Sequence, residues 1–313
     1  MYAAIRLIAS LGALMVGWVS VVIGLMAVYW FSWSYLAGIE MLAGAISPPP
    51  PFLSLAVVSF VVPMVLLGIF LALFTVLPAR WVMELLIRDT EHVRLPADHP
   101  LYQDTKMLAD EFGLCMPAIY TYDNLAPNAW AFSTVVGSVV CVSLGLTKTL
   151  PQGQLRWVMA HELAHIKYFD AGTGAFWASS ERVIALAWRV HRAVVNYTLR
   201  GVSATNMHIL MVALMALPIL IVSYTAISAD FLSRKVFLLI DRWVGRAMEY
   251  RADTFAGRAV GAQLGIAVLE TLSKGIEPSF GLFATHPTTP KRITRMQRLA
   301  VSLAGEATVE SRV

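Results

Sequence analysis

Polar and apolar positions segregate along this chain into long uncharged runs and stretches of mixed character. Leu7 to Phe31 carries no charge and is long enough to cross a hydrocarbon core of ~30 Å as a helix. The run is too long for the apolar part of a signal peptide, and no small-x-small cleavage site follows, so a retained span is expected. Ser32 to Pro51 holds one acid, Glu40, and no Lys or Arg. It ends in Pro48-Pro49-Pro50-Pro51, which predicts a stiff extended connector. Phe52 to Leu77 is a second uncharged run, with a bend expected at Pro63.

From about Arg80 the pattern becomes that of a water-facing domain. Trp81 to Arg88 is expected to leave the membrane as a helix. Pro100 to Glu111 reads as another, with Leu101, Met107, Leu108 and Phe112 against charged positions. Pro117 to Tyr122 reads as a strand. Ala131 to Val136 and Val139 to Leu144 are β-branched runs joined by Gly137-Ser138, a two-residue hairpin turn. Thr149 and Gln152 fit a capping box opening a helix that Asp170 and Gly172 close. Phe176 to Tyr197 is apolar on one side and carries Glu181, Arg182, Arg189 and Arg192 on the other, as a protein-packed or interfacial amphipathic helix would. Met207 to Ser228 is apolar and long enough to span, with Pro218 inside it. Arg234 to Gly257 and Gly265 to Ser273 read as helices, Thr285 to Pro290 as a loop, and Lys291 to Leu303 as a final basic helix. The tail after Gly305 is expected to be disordered. There is no internal repeat.

Composition strengthens the membrane reading. The 313 residues are 58% hydrophobic and only 14% charged, where soluble domains run at about a quarter charged. The net charge of +4 is scattered, with no basic run of the kind that binds nucleic acid. Arg6 precedes the first apolar run, and Arg80, Arg88 and Arg94 follow the second, while the loop between them has no basic residue. The positive-inside bias then puts both ends of this hairpin in the cytoplasm. Cys115 and Cys141 form no disulfide framework or metal-ligand spacing and read as small buried apolar residues.

The candidate chemistry lies in the run LRWVMAHELAHIKYFD. On a helix, His161 and His165 are four apart and aim two imidazoles at one point, with Glu162 beside them to take a proton from a water. This H-E-x-x-H arrangement is that of zinc peptidases. Catalytic zinc takes three protein ligands, so one is missing. Tyr168 and Ala171 occupy the positions where one class of such enzymes places Gly and a third His, which excludes that class. A later carboxylate remains, from Asp170, Glu181 or Glu249. Glu249 belongs to Glu249-Tyr250-Arg251-Ala252-Asp253, in which one carboxylate can ligate and the other, one turn on, can accept the N–H of a ligating histidine. His92, His99, His191 and His208 fit no site; the first two read as exposed.

With these pieces the chain resembles the HtpX-like integral membrane zinc endopeptidases, gluzincins related to the CAAX prenyl proteases. The matching segments are HELAH at 161–165, EYRAD at 249–253, PNAWAF at 127–132 and THPTTPKRI at 285–293, in the family's order. The resemblance implies one catalytic Zn2+ held by His161, His165 and Glu249, with Glu162 as general base and Asn128, His286 and Arg292 as further site residues. Asp253 is the outer carboxylate. Trp130 stands where the family often has a smaller aromatic. The implied fold is a mainly α membrane protein with about four membrane-associated helices and a cytoplasmic α+β zincin-like metallopeptidase domain with a small sheet. Residues 1–79 would be a transmembrane hairpin, 80–172 and 231–304 the two parts of the catalytic domain, 173–230 a second membrane-associated hairpin, and 305–313 a tail.

The expected activity is endoproteolysis of membrane or misfolded proteins, a quality-control role, by a multi-pass protein of the bacterial inner membrane. Its partners would be peptide or protein substrates and the lipid bilayer, not nucleic acid. The hairpin at 131–144 would align an extended peptide by strand addition. His286 would donate to the oxyanion, and Arg292 would brace His286 or Glu249. The competing reading is a catalytically silent membrane adaptor binding peptides at that strand; it predicts a lost base or ligand, and none is lost. A transporter would carry charges inside its spans, and the two N-terminal spans have none.

Overall fold

The computed structural model describes residues 1–42, 69, 79, 81, 92–173, 185, 188–189, 192–193, 196, 200, 209–273 and 288–310. The chain divides into two compact units. Met1–Leu7, Leu73–Phe176 and Leu239–Val313 form the first, and Ile8–Ala72 with Trp177–Leu238 the second. The structure is mostly helical with one small sheet.

Helix α1 (Tyr2–Leu42) runs past the expected end of the first span at Phe31. No proline lies between Phe31 and Leu42, so nothing there removes a ladder hydrogen bond. Its Tyr2–Ile23 portion is the one helical segment among the described residues long and apolar enough to cross a membrane by length and composition. The proline run, the second N-terminal span and most of Phe176–Tyr197 lie outside the described residues, as do Glu181, His191 and His208. In the second unit, Trp188 donates its indole N–H to the buried Asp230 at 2.9 Å, and Arg234 pairs with the same carboxylate at 3.0 Å.

The first unit carries the sheet. Strands β1 (His92–Arg94), β2 (Ala118–Tyr122), β3 (Ala129–Thr134) and β4 (Gly137–Ser143) lie in the order β1-β2-β4-β3. β2 and β4 are parallel and the outer pairs antiparallel, so β3 is an edge strand. Thr134 pairs with Gly137, which puts the hairpin turn at Val135-Val136 and not at the expected Gly137-Ser138. Register is set by burial: this pairing buries Val139, Val140 and Val142 and joins the Ser133 and Ser138 hydroxyls at 3.0 Å.

Helix α2 (Pro100–Glu111) matches its expected bounds; His99 caps it by accepting from the Leu101 N–H, and Pro100 opens it. His92 packs its ring near Tyr122 and Trp130, so neither histidine is the exposed residue expected. Cys141 is buried as expected, whereas Cys115 is exposed. A short helix α3 (Leu144–Thr149) follows β4, capped by Ser143. Thr149 closes this helix, donating to the Gly145 carbonyl, and caps nothing after it.

Helix α4 (Gln152–Lys167) starts directly after Pro151 with no side-chain cap. It packs on α2, β3 and α6 (Ala262–Ser273), burying Trp157, Val158, Ala160, Leu163 and Ala164 in the core. A Cβ on Gly265 of α6 would fall 2.7 Å from the Trp157 ring, so glycine there lets the two helices meet. Helix α5 (Ile209–Ala256) is continuous where two separate helices were expected. No glycine or proline lies between Ala226 and Val244 to interrupt it. A π turn, Gly257–Gly261, links it to α6. Helix α7 (Thr289–Glu310) extends to Glu310, into the tail expected to be disordered, with Ser302 bonded to Glu306 one turn on.

Candidate metal centre

Three side chains from distant parts of the first unit converge. His161 and His165, one turn apart on α4, bring their Nε2 atoms to 3.2 Å from each other. Glu249, near the end of α5, places Oε2 3.6 Å from His161 Nε2 and Oε1 3.6 Å from His165 Nε2. All three offer a ligand atom within 4.8 Å of the others. Donors at about 2.0–2.2 Å from a tetrahedral zinc lie about 3.3–3.6 Å apart, so this spacing fits that ion. Of the three carboxylates left open by spacing, Glu249 is the one that lies with the two imidazoles among the described residues. Asp170 sits beside it in another role, and Glu181 is outside the described residues.

Each imidazole is backed by a buried acid, and each acid by an arginine. Asp253, one turn after Glu249, lies 3.1 Å from His161 Nδ1, close but poorly aligned for a hydrogen bond. Arg292 of α7 grips Asp253 with two N–H donors at 2.8 and 2.6 Å and approaches Glu249 Oε2 at 3.4 Å. On the other side, Asp170 Oδ2 lies 3.3 Å from His165 Nδ1. Arg251 donates to both Asp170 oxygens at 2.6 Å. Outer carboxylates of this kind fix which ring nitrogen faces the metal. Arg292 therefore faces both Asp253 and Glu249, whereas His286, the other residue it was expected to brace, lies outside the described residues. The Asp170–Arg251 pair had no sequence signal beyond Asp170 lying five residues after His165.

Local backbone explains why Asp170 reaches His165. The end of α4 is turned by Phe169, which adopts a left-handed φ of 59° rare for a bulky residue. The chain then resumes as a short helical turn, and Arg6 of α1 bonds the Asp170 carbonyl at 3.4 Å. His161 stacks on Trp157, ring centroids 5.6 Å apart.

The electrostatics favour a cation. Burial alone would lower the His161 pKa, but Asp253 and Glu249 outweigh it and push it up to about 10. Burial would raise Asp253, yet Arg292 and His161 together hold it below the ordinary carboxylate value. A pocket that holds a proton this firmly on a ring nitrogen beside a carboxylate is arranged for positive charge, and the donor set of two imidazoles and a carboxylate suits zinc.

Glu162 is buried on the same helix, 7% exposed. Asn128 precedes β3; its N–H bonds Ser143 Oγ at 2.9 Å, and its side chain, with Trp130, bonds Tyr122. It therefore sits on the sheet, with partners other than the histidine cluster. His286 lies outside the described residues.

Residues 98–300 match the profile of peptidase family M48. The chain is 29% identical over 219 residues to protease HtpX of Pasteurella multocida, covering 64% of this chain and 72% of that protein. It is 28% identical over 223 residues to protease HtpX of Vibrio cholerae, covering 64% and 73%. A protease HtpX homolog of Campylobacter curvus is 26% identical over 232 residues, covering 65% and 75%. Among solved structures, Ste24p of S. mikatae overlaps 74% of this chain and 57% of its own, with a TM-score of 0.48 and 18% identity.

Proposed function

The chain belongs to peptidase family M48, a metalloprotease family, and we propose that it cleaves peptide bonds of membrane or misfolded proteins at a zinc held by His161, His165 and Glu249. The observation that carries this reading is the convergence of two imidazole nitrogens and a carboxylate at tetrahedral spacing, each imidazole backed by a buried acid.

Bound there, zinc supplies Lewis-acid polarisation of the scissile carbonyl and lowers the pKa of water to about 7. The chain's own residues do the rest. Glu162 takes the proton of the attacking water and passes it to the leaving amine. Asp253 and Asp170 keep His161 and His165 in the tautomer that leaves Nε2 free, and Arg292 and Arg251 hold those carboxylates in position. An extended peptide pairs with the outer edge of β3, which has no strand neighbour among the described residues, and Asn128 at its start engages that backbone. His286 donates to the developing oxyanion.

The apolar segments within 1–79 and 173–230 anchor the protein in the bacterial inner membrane as a multi-pass chain, with 80–172 and 231–304 forming a cytoplasmic catalytic domain. The relatives bear the name protease, and base, ligands and outer acids are all present here, which favours an active enzyme over a silent adaptor. The test uses purified full-length protein in detergent, with metal content and cleavage of a multi-spanning membrane protein as readouts. Glu162→Gln should keep about one zinc per chain and lose at least about 10^2-fold in turnover. Undiminished cleavage by that variant would remove Glu162 from the reaction.

A further inference from the structure

Away from the metal cluster, the first unit holds an open cleft of about 460 Å3 whose walls include Tyr2, Tyr168, Tyr250, Arg251, Arg258 and Arg295. Among the described residues no carboxylate lines it. Arg251 is already neutralised by Asp170 and lies over the Tyr168 ring at 4.1 Å, yet its buried Nε–H finds no acceptor among the described residues. Arg295 sits over the Tyr250 ring at 4.3 Å. Neither Arg258 nor Arg295 has a carboxylate partner among the described residues, and both are exposed. Two uncompensated guanidinium groups and an unsatisfied donor around an aromatic-walled cavity make a field that attracts an anion.

The geometry points to a binding site for a phosphate group, gripped by Arg258 and Arg295 with the tyrosine faces packing on the apolar part of the same molecule. Guanidinium forks match phosphate oxygens, and a buried N–H lacking an acceptor is relieved by one. Two further features favour phosphate over a lone carboxylate. Lys291 and Arg298 continue an exposed basic face along α7 beside Arg295, at the i, i+4, i+7 spacing of one helix side. Tyr2, in the cleft wall, is also the first residue of the candidate membrane span, and a span's end lies at headgroup level. A lipid headgroup and a soluble phosphate ester share this chemistry. The inference does not depend on the metal reading.

The experiment uses delipidated full-length protein in a phosphate-free glucoside detergent. Binding of phosphatidylglycerol and of glycerol 3-phosphate is followed by native mass spectrometry. The intact protein should bind at least one of them, and R258Q/R295Q should weaken that binding by about ten-fold or more with an unchanged thermal melt. K291Q/R298Q, which removes the same charge outside the cleft and takes away only its long-range field, should weaken binding by no more than about two- to three-fold. Arginine-dependent binding of the lipid alone identifies a headgroup, and of glycerol 3-phosphate at comparable affinity a soluble ester. Equal binding by R258Q/R295Q, an equal loss in K291Q/R298Q, or no binding of either ligand at millimolar concentration overturns the proposal.

Discussion

Replacing Asp170 with Asn removes one charge from the second of the two acid–arginine pairs and leaves its shape. The Asp170 side chain is 3% exposed and accepts from Arg251 Nη2 on both oxygens, the Arg251 side chain being 23% exposed, while facing His165 Nδ1. Removing one partner of a buried ion pair costs about 3–5 kcal/mol. Here Arg251 keeps partial solvent contact and the Tyr168 face, and Asn retains one acceptor, so a fold cost of about 1–3 kcal/mol is expected. Separately, His165 loses the anion that orients it. Loss of such a partner weakens metal affinity by about 10- to 100-fold, or about 1.4–2.7 kcal/mol. The two effects separate in thermal melts run with saturating zinc and with a chelator, alongside a zinc titration against a chromophoric competitor. The variant should melt lower in both, by more when zinc is present, and its zinc Kd should rise. An unchanged zinc Kd, with the same melt shift in zinc and in chelator, would mean that Asp170 only holds the fold together.

Glu249→Gln should raise the zinc Kd by more than Asp170→Asn does, because it replaces a charged ligand itself; equal or smaller loss in the same titration would contradict the ligand assignment. Gly265→Ala places a methyl 2.7 Å from the Trp157 ring and 2.6 Å from Met296 Cε, so denaturant unfolding should show a loss of about 1–3 kcal/mol. No loss would mean that α4 and α6 are farther apart than described. The His161 pKa, raised from 6.5 to about 10, gives a pH dependence. In metal-free protein the stability from protonated His161 is fully present below about pH 6.5 and is lost as pH rises through about 10. Zinc must displace that proton, so its affinity should rise about ten-fold per pH unit across the same window, read by competition titration. A flat profile there would place His161 outside the metal set.

What the sequence disclosed is what short-range geometry fixes. The four-residue spacing of His161 and His165, and of Glu249 and Asp253, puts each pair on one helix face whatever the rest of the chain does. Helix α2 was legible to its end residues because Pro100 and an amphipathic pattern marked it. The misplaced features are those decided by partners elsewhere. The β3–β4 turn moved to Val135-Val136 because register follows what the strands bury, and a glycine-serine pair does not compel a turn. Thr149 looked like a cap but belongs to α3, which no periodicity announced in six residues. The Asp170–Arg251 pair spans 81 positions, and no local pattern encodes such a meeting.

Glu249, Arg251 and Asp253 are near neighbours on one helix, and they reach the metal position, the acid behind His165 and the ring of His161 respectively. A chain emerging from the ribosome therefore presents both histidines and Asp170 long before Glu249, Arg251 and Asp253 exist. The cluster is complete only when this one helix has seated against α4.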